Sequence, residues 1–256
     1  MEANLLLETY LKQLHLPGFL RSYRSFAADA ARNNEDPVRY LLALAEQEVR
    51  QREQNRQRER IKQARFPVLR ELADFDFSAV PSLNKAYVLD LARGDYVARR
   101  EPVIFIGNPG LGKTHLALGL ALASCRQGCK VRFWTAAGLV NELQQAQDEH
   151  RLSRCTTAAL KLDLLLLDEL GFIPFSPATA QLLFTFYSEL HERVAVIVTS
   201  NLKFADWIQI FGQERLTAAL LDRLTQKAHI LELVGESYRF RQRLQRDARQ
   251  PANPEG

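Results

Sequence analysis

The residues with the clearest chemistry form one short glycine-rich segment near the middle of the chain. Its glycines, lysine and threonine have the spacing of a phosphate-binding loop. In such a loop backbone N–H groups turn toward the phosphates, the lysine ammonium reaches the β- and γ-phosphates, and the threonine hydroxyl ligates Mg²⁺. The sequence therefore predicts a site for a nucleoside triphosphate and Mg²⁺. The segment consists of Gly107, Asn108, Pro109, Gly110, Leu111, Gly112, Lys113 and Thr114.

A phosphate-binding loop must join a strand to a helix, and the neighbouring sequence supplies both. The apolar run 102–106 precedes the loop, and a helical run begins at Thr114 with its N-terminal dipole facing the phosphates. Four more short apolar runs follow, separated by helical segments, which is typical of a parallel sheet covered on both faces. We expect a doubly wound α/β fold with a five-stranded parallel sheet and ligand at the carboxyl ends of the strands. The four later runs are 130–134, 163–167, 194–198 and 229–233.

Two adjacent acids, Asp168 and Glu169, end one of these runs. They should emerge at the edge of the sheet that carries the loop. Asp168 would hold Mg²⁺ directly or through water, and Glu169 would accept a proton from the water that attacks the γ-phosphate. Two acids that only solvate a strand end are the plainer alternative. Beside an intact loop, the pair favours ATP hydrolysis over phosphoryl transfer to a small molecule.

Two further side chains are candidates for the same reaction. Asn201 follows the run 194–198 and would orient the attacking water or touch the γ-phosphate, although asparagine is also a common turn former. Arg223 lies just off an apolar helical face and is the candidate arginine finger, a cation supplied to a neighbour's γ-phosphate. On helix geometry alone, an ordinary surface arginine is the better interpretation of Arg223.

Positive charge is concentrated in two segments, although the net charge of the 256-residue chain is only +4. We predict a helical N-terminal domain over 1–65 that ends in a basic arm, an ATPase domain over 66–240 and a basic tail over 241–256. The arm is either a solvated connector or a phosphate-contacting element that binds duplex DNA with little sequence preference. Its basic residues are Arg50, Arg52, Arg56, Arg58, Arg60, Lys62 and Arg65, and the tail region carries Arg239, Arg241, Arg243, Arg246 and Arg249.

The composition argues against a secreted or membrane protein. The N-terminus has early acids and no cationic segment before a long apolar stretch, unlike a secretory signal. No run approaches the length needed to span a bilayer. The three cysteines lack a paired CxxC spacing, which fits reduced thiols. We therefore expect a cytoplasmic protein with no membrane partner.

Together these motifs resemble those of the AAA+ ATPases and, more narrowly, of the IstB-like transposition helper proteins, with the DnaC helicase loaders as close relatives. The resemblance covers nearly the whole chain. The ATPase motifs are specific to the superfamily, whereas the matches in the leader and tail point to the subfamily. The matching segments are 14–18, 75–85, 107–115, 167–171, 199–201, 221–224 and 235–239.

The resemblance implies a role for each candidate residue. It also implies a head-to-tail homo-oligomer with nucleotide between neighbouring subunits and a helical insertion over 138–162 that lies near bound DNA. The sequence departs from the family pattern in one respect, since we expect no separate lid domain after the fifth strand. Arg239 or Arg241 is the candidate for a second sensor. The implied roles are Walker A for 107–115, including Lys113, Thr114 and His115, Walker B for Asp168 and Glu169, sensor 1 for Asn201, and arginine finger for Arg223.

The function implied by the resemblance is that of an ATP-dependent, DNA-binding regulator of transposition. It would assemble on target duplex DNA and recruit or stimulate its partner transposase. The alternative within the superfamily is a DnaC-like replicative helicase loader, which would hold a helicase and single-stranded DNA. A small-molecule kinase and an ATP sensor without turnover are alternatives from other classes. A GTPase is disfavoured because the chain lacks an Asn-Lys-x-Asp guanine signature.

Overall fold

A computed structural model of the chain describes residues 2–172, 174–235 and 237. The chain divides between Glu59 and Arg60 into two compact units. This division lies before the expected boundary at residue 65, because residues at the end of the basic helix pack within the second unit. Ala64 is fully buried there, with Ile61 and Phe66 against the same core.

The first unit is helical. It contains α1 (Glu2–Gln13), α2 (Pro17–Arg32) and most of α3 (Pro37–Ala64). Pro17 lies in the first turn of α2, where the missing N–H of proline costs nothing. Leu11, Tyr23 and Leu44 form the small core of this unit, one residue from each helix.

The second unit alternates helices with strands. Its strands are β1 (Val103–Gly107), β2 (Val131–Thr135), β3 (Leu164–Leu170), β4 (Ala195–Ser200) and β5 (His229–Leu233). Each strand overlaps one of the five predicted runs. Its helices are α4 (Lys85–Leu91), α5 (Asp95–Ala98), α6 (Lys113–Arg126), α7 (Ala136–Asp148), α8 (Leu152–Ala159), α9 (Pro177–Leu190), α10 (Ile208–Phe211) and α11 (Glu214–Thr225). Short 3-10 turns occupy Leu72–Asp74, Phe77–Ala79 and Phe204–Asp206.

The five strands form one parallel sheet in the order β2-β3-β4-β1-β5. The predicted doubly wound α/β fold with a five-stranded parallel sheet is confirmed. β4 therefore lies between β1, which leads into the phosphate-binding loop, and β3, which carries the two acids. The end of β4 is placed to contact both.

Two apolar layers cover the sheet. Alternate residues of each strand face opposite sides, so Leu164 and Leu166 pack in the layer that contains α6, whereas Leu165 and Leu167 pack with α7, α9 and α11. Burial of each such leucine contributes roughly 1.5–3 kcal/mol. These layers hold the strand ends in fixed register around the candidate site.

The predicted insertion over 138–162 lies between β2 and β3, in the region that forms α7 and α8. Thr135 caps α7, since its side chain accepts a hydrogen bond from the N–H of Gly138. Within the part of the chain that the structure describes, no helix is both long and apolar enough to cross a bilayer.

Candidate nucleotide-binding site

The phosphate-binding loop runs from the end of β1 to the start of α6, as predicted. Gly110 and Gly112 have φ angles of 82° and 89°, in the left-handed region that favours glycine. A Cβ atom at Gly112 would also lie 2.6 Å from Cε2 of Phe75. Both the backbone conformation and the close approach of Phe75 therefore require glycine at this position. Gly112 is the N-cap of α6, whose dipole favours an anion at the loop.

Lys113 is 6% exposed, and its ammonium is held over the loop. Nζ donates hydrogen bonds to the carbonyl oxygens of Gly107 at 2.6 Å and Asn108 at 2.8 Å. A buried cation needs such acceptors, because leaving water without them is costly. The loop thus fixes a positive charge at the N-terminus of α6, where phosphate oxygens can be recognised.

Asp168 joins this loop to the neighbouring part of the sheet. The carboxylate is 4% exposed, and the hydroxyl of Thr114 donates to its Oδ1 at 2.9 Å. Asp168 has the same strand parity as Leu164 and Leu166, so it faces the layer that contains α6. The structure therefore brings together Thr114 and Asp168, the two residues predicted to hold Mg²⁺.

Glu169 lies in a β-bulge. β3 pairs with β4 through Leu167 and Val198 and then through Leu170 and Ser200, so β3 has one extra residue between these pairs. Glu169 is exposed and has a φ angle of 62°, a left-handed conformation that is uncommon for a residue with a Cβ atom. Such bulges occur near active sites, where they redirect a side chain.

Thr199 on β4 contacts both acids, and its role was missed by the sequence reasoning. Its hydroxyl donates to Oδ1 of Asp168 at 2.5 Å and accepts the N–H of Glu169 at 3.0 Å. The alternation of side chains along β4 could have indicated this contact. Ala195 and Ile197 face the α6 side of the sheet, and Thr199, two residues further along, faces the same side. Asn201 follows β4, between the strands that carry the loop and the acids. Within the described residues no hydrogen bond of its side chain is found.

Arg223 is not brought to the loop of its own chain. Its Nη1 donates to Oγ of Ser188 at 2.6 Å, and its guanidinium carbon lies 4.8 Å from the ring centroid of Phe184. Ser188 is near the end of α9, which leads into the start of β4, whereas the loop follows the end of β1. Because all strands are parallel, the loop lies at the carboxyl ends of the strands, whereas Arg223 of the same chain lies toward their amino ends.

Two segments flank the loop. The imidazole Nε2 of His115 lies 2.8 Å from the carbonyl oxygen of Glu71, and its ring meets Phe75 edge to face. On the other side, a Cβ at Gly110 would collide with the hydroxyl of Ser237. His115, predicted as part of the nucleotide site, is thus hydrogen-bonded to the segment that precedes α4 in the second unit.

The predicted arm residues have different environments. In the first unit, Arg52 Nε donates to the buried carboxylate of Glu48 at 2.7 Å, and Glu48 also accepts the N–H of Gly18. In the second, Arg60 Nε donates to the carbonyl oxygen of Cys125 at 3.1 Å. Among the described residues, Arg50 and Arg56 make exposed ion pairs of 3.8 Å within α3. Arg58, Lys62 and Arg65 are exposed. The arginines from 239 onward and the tail over 241–256 lie outside the described residues.

A separate cavity of about 460 Å³ lies beside α7 and α8. Arg132, Arg151 and Arg154 line it together with Trp134. The guanidinium of Arg132 lies over the ring of Trp134, and burial lowers the pKa of Arg132. Within the described residues, its buried Nε has no hydrogen-bond partner. Arg132 and Trp134 belong to β2, the other lining residues belong to the predicted insertion, and none of them is a residue of the phosphate-binding loop.

The donor set at the loop suits a hard cation that shares its ligands with phosphate. A threonine hydroxyl and a carboxylate are oxygen ligands of the kind that Mg²⁺ prefers, and Mg²⁺ commonly keeps several waters. The protein therefore has to supply only a few of the ligands of the metal ion. Among the described residues, no three His, Cys, Asp or Glu side chains are grouped to hold a metal.

Known proteins resemble this chain over most of its length. Residues 9–246 match the family model described as IstB-like ATP binding protein. A protein named for ATP binding in insertion sequence IS5376 of Geobacillus stearothermophilus is 33% identical, over 94% of this chain and 96% of that protein. Its counterpart in IS21 of Pseudomonas aeruginosa is 35% identical, over 93% and 89%.

The fold also resembles that of a solved structure. The crystal structure of the DnaC helicase loader superposes with a TM-score of 0.50 at 20% identity, covering 58% of this chain and 87% of that one. At this identity the likeness concerns the fold. The family match is instead a similarity of sequence, and the matched residues include the phosphate-binding loop. The chain belongs to the IstB-like ATP-binding protein family.

Proposed function

We propose that this protein is an ATPase that converts ATP and water to ADP and phosphate, and that it uses the cycle to regulate transposition on DNA. The observation that carries the ATPase proposal is the contact between Thr114 of the loop and Asp168 beside Glu169. This contact supports the proposal that Thr114 and Asp168 hold the metal and that the adjacent Glu169 is the base.

Each residue has a distinct task in the proposed reaction. Lys113 binds the β- and γ-phosphates, and Thr114 and Asp168 hold Mg²⁺. Bound Mg²⁺ neutralises the charge that develops on the phosphate oxygens. Glu169 accepts a proton from the attacking water, and its exposed position on the bulge leaves it open to that water. Asn201 orients the same water from the end of β4.

The position of Arg223 supports the proposal that subunits assemble. Arg223 lies toward the amino ends of the strands, and the loop of its own chain lies at their carboxyl ends. It is therefore better placed to act as an arginine finger in the site of a neighbouring subunit. A homo-oligomer with ATP between subunits is supported by this placement. Bound ATP then stabilises the interface between subunits, and hydrolysis weakens it.

The insertion-sequence names of the relatives support a role in transposition. In this proposal the oligomer forms on duplex DNA and recruits or stimulates the transposase of the same element. The exposed cations of α3 supply sequence-independent phosphate contacts. The basic cavity at Arg132, Arg151 and Arg154 is a second candidate DNA contact, because residues of the helical insertion form most of its lining.

The ATPase proposal is tested with Glu169→Gln, which keeps the shape of the side chain and removes the base. We expect turnover to fall by about 10²–10⁴ while nucleotide binding and assembly persist. Turnover is measured by phosphate release and assembly by sedimentation with ATP. The exposed Glu214→Gln is the matched control. Normal hydrolysis by Glu169→Gln would show that another group is the base.

The DNA role is tested by sedimentation on duplex and single-stranded DNA with ATP or ADP at fixed salt. Large ATP-dependent assemblies on duplex DNA are expected of the transposition regulator. Selective binding of single strands without such assemblies would favour a helicase loader instead. Nucleotide-dependent binding without turnover would indicate an ATP sensor.

A further inference from the structure

Thr199 is a buried polar residue that the proposed reaction does not yet use. The residue is 1% exposed, near the end of a strand whose first four residues are apolar. A hydroxyl has one proton to donate and lone pairs to accept with. Here the proton goes to Asp168 and one lone pair receives the N–H of Glu169. The hydroxyl is thus the only atom among those described that bonds both neighbouring acids.

The bond to Asp168 fixes which carboxylate oxygen is occupied. Thr199 and Thr114 both donate to Oδ1, at 2.5 Å and 2.9 Å. Two donors on one oxygen hold the carboxylate in a single orientation. Oδ2, for which no described residue is a donor, is left to face a metal ion or its waters.

The bond to Glu169 holds the bulge. A residue with a Cβ atom is strained at a φ angle of 62°, and it keeps this conformation only where its surroundings impose it. The N–H of Glu169 reaches the hydroxyl of Thr199 at 3.0 Å, within the stretch where β3 has its extra residue. The same atom therefore orients the metal-binding carboxylate and anchors the backbone of the proposed base.

We propose that Thr199 is a positioning residue that couples the metal-binding carboxylate of Asp168 to the proposed base Glu169. The inference rests on the proposed function of these two acids. It assigns to Thr199 no contact with ATP. Loss of its hydroxyl should weaken metal binding and turnover together and leave metal-free nucleotide binding intact.

The test compares Thr199→Val, which removes the hydroxyl at nearly constant volume, with Thr199→Ser, which keeps it. Mn²⁺ binding to the full chain with a non-hydrolysable ATP analogue is followed by electron paramagnetic resonance, and turnover by phosphate release. Loss of a residue that hydrogen-bonds to a metal ligand typically costs about 10–100-fold in metal affinity or activity. We expect losses of this size for Thr199→Val. Serine should restore both, and binding of a fluorescent ATP analogue in EDTA should be unchanged in either variant.

Thr217→Val is the matched control. Thr217 is also buried, and its hydroxyl donates to the carbonyl oxygen of Gln213, the N-cap residue of α11. Its loss should leave Mn²⁺ affinity unchanged. If Thr199→Val does not fold, Thr199→Ala against Thr199→Ser decides, since these variants differ only in the hydroxyl.

Equal Mn²⁺ affinity and turnover with and without the hydroxyl would overturn the role of Thr199. A wild-type protein that binds the Mn²⁺–nucleotide complex but hydrolyses no ATP would instead overturn the ATPase proposal. In that case the Mn²⁺ measurement still decides whether Thr199 positions Asp168. The two failures are therefore distinguishable.

Discussion

Two regions of this molecule use positive charge in opposite ways. The phosphate-binding loop has one lysine, Lys113, buried to 6% exposure with its ammonium fixed by two carbonyl oxygens. The basic helix α3 has many arginines whose side chains are largely exposed, such as Arg50 and Arg56. A fixed buried charge can recognise one group at one distance. Exposed charges act by their number, through screened contacts with a polyanion.

The largest expected effect is that of replacing the buried lysine of the loop. Lys113→Ala should abolish ATP binding, because it removes the cation and leaves two loop carbonyls without their donor. The affinity is measured with a fluorescent ATP analogue, and exposed Lys130→Ala is the matched control. Retained affinity in Lys113→Ala would mean that burial of the lysine serves the loop's structure alone.

Arg223 lies between the two extremes, since it is half-buried against the ring of Phe184 and bonded to Ser188. Arg223→Ala should reduce turnover by about 10³–10⁵ if the guanidinium acts as a finger. Mixing Arg223→Ala with Lys113→Ala should restore part of the activity, because each supplies what the other lacks at a shared interface. Phosphate release from the mixture is the measurement, with exposed Arg215→Ala as the control. No recovery on mixing would contradict action between subunits.

The α3 arginines should separate into two groups. Arg58→Ala should reduce the slope of log K against log salt for duplex DNA by about 0.9, as expected for one lost phosphate contact. Arg52→Ala should instead destabilise the first unit by roughly 1–3 kcal/mol, because Glu48 stays buried without its partner. Fluorescence anisotropy with labelled DNA and calorimetric unfolding of the full chain measure the two effects. The reverse pattern would show that the ion pair is dispensable and that Arg52 contacts DNA.

The smallest expected effect is a pH dependence of the same ion pair. Burial alone would raise the pKa of Glu48, but hydrogen bonds from Arg52 and from the N–H of Gly18 lower it overall below its ordinary value of 4.5. A carboxyl whose pKa is lowered by folding stabilises the protein above its unfolded pKa, and this stability is lost as pH falls through the folded value. Stability of the first unit should therefore fall below about pH 4.5, and Glu48→Gln should reduce that dependence. Calorimetry of the full chain between neutral and acid pH measures it.

The parts of the molecule that depend on local sequence were predictable. The loop could be identified because its glycines, lysine and threonine are contiguous, and the five strands because each is a short apolar run. The contact between Thr114 and Asp168 followed from the rule that parallel strands end at one edge of a sheet.

What could not be predicted depends on register and tertiary packing. The bulge at Glu169 and the double role of Thr199 depend on how β3 pairs with β4, which no single segment encodes. Arg52 and Arg60 resemble the other arginines of the arm in sequence, yet each has a partner within the fold. The DNA contacts of the arm remain predictions, as do the roles of Asn201 and Arg223.

The extra residue in β3 has a consequence for how such a site can arise. In a regular strand, neighbouring side chains point to opposite faces, so adjacent carboxylates could not share one side of the sheet. The bulge releases Glu169 from this alternation while Asp168 keeps its place beside Thr114. A pair of acids adjacent in the gene can then work on one substrate. A single extra residue in β3 is therefore enough to separate the directions of two acids that are adjacent in sequence.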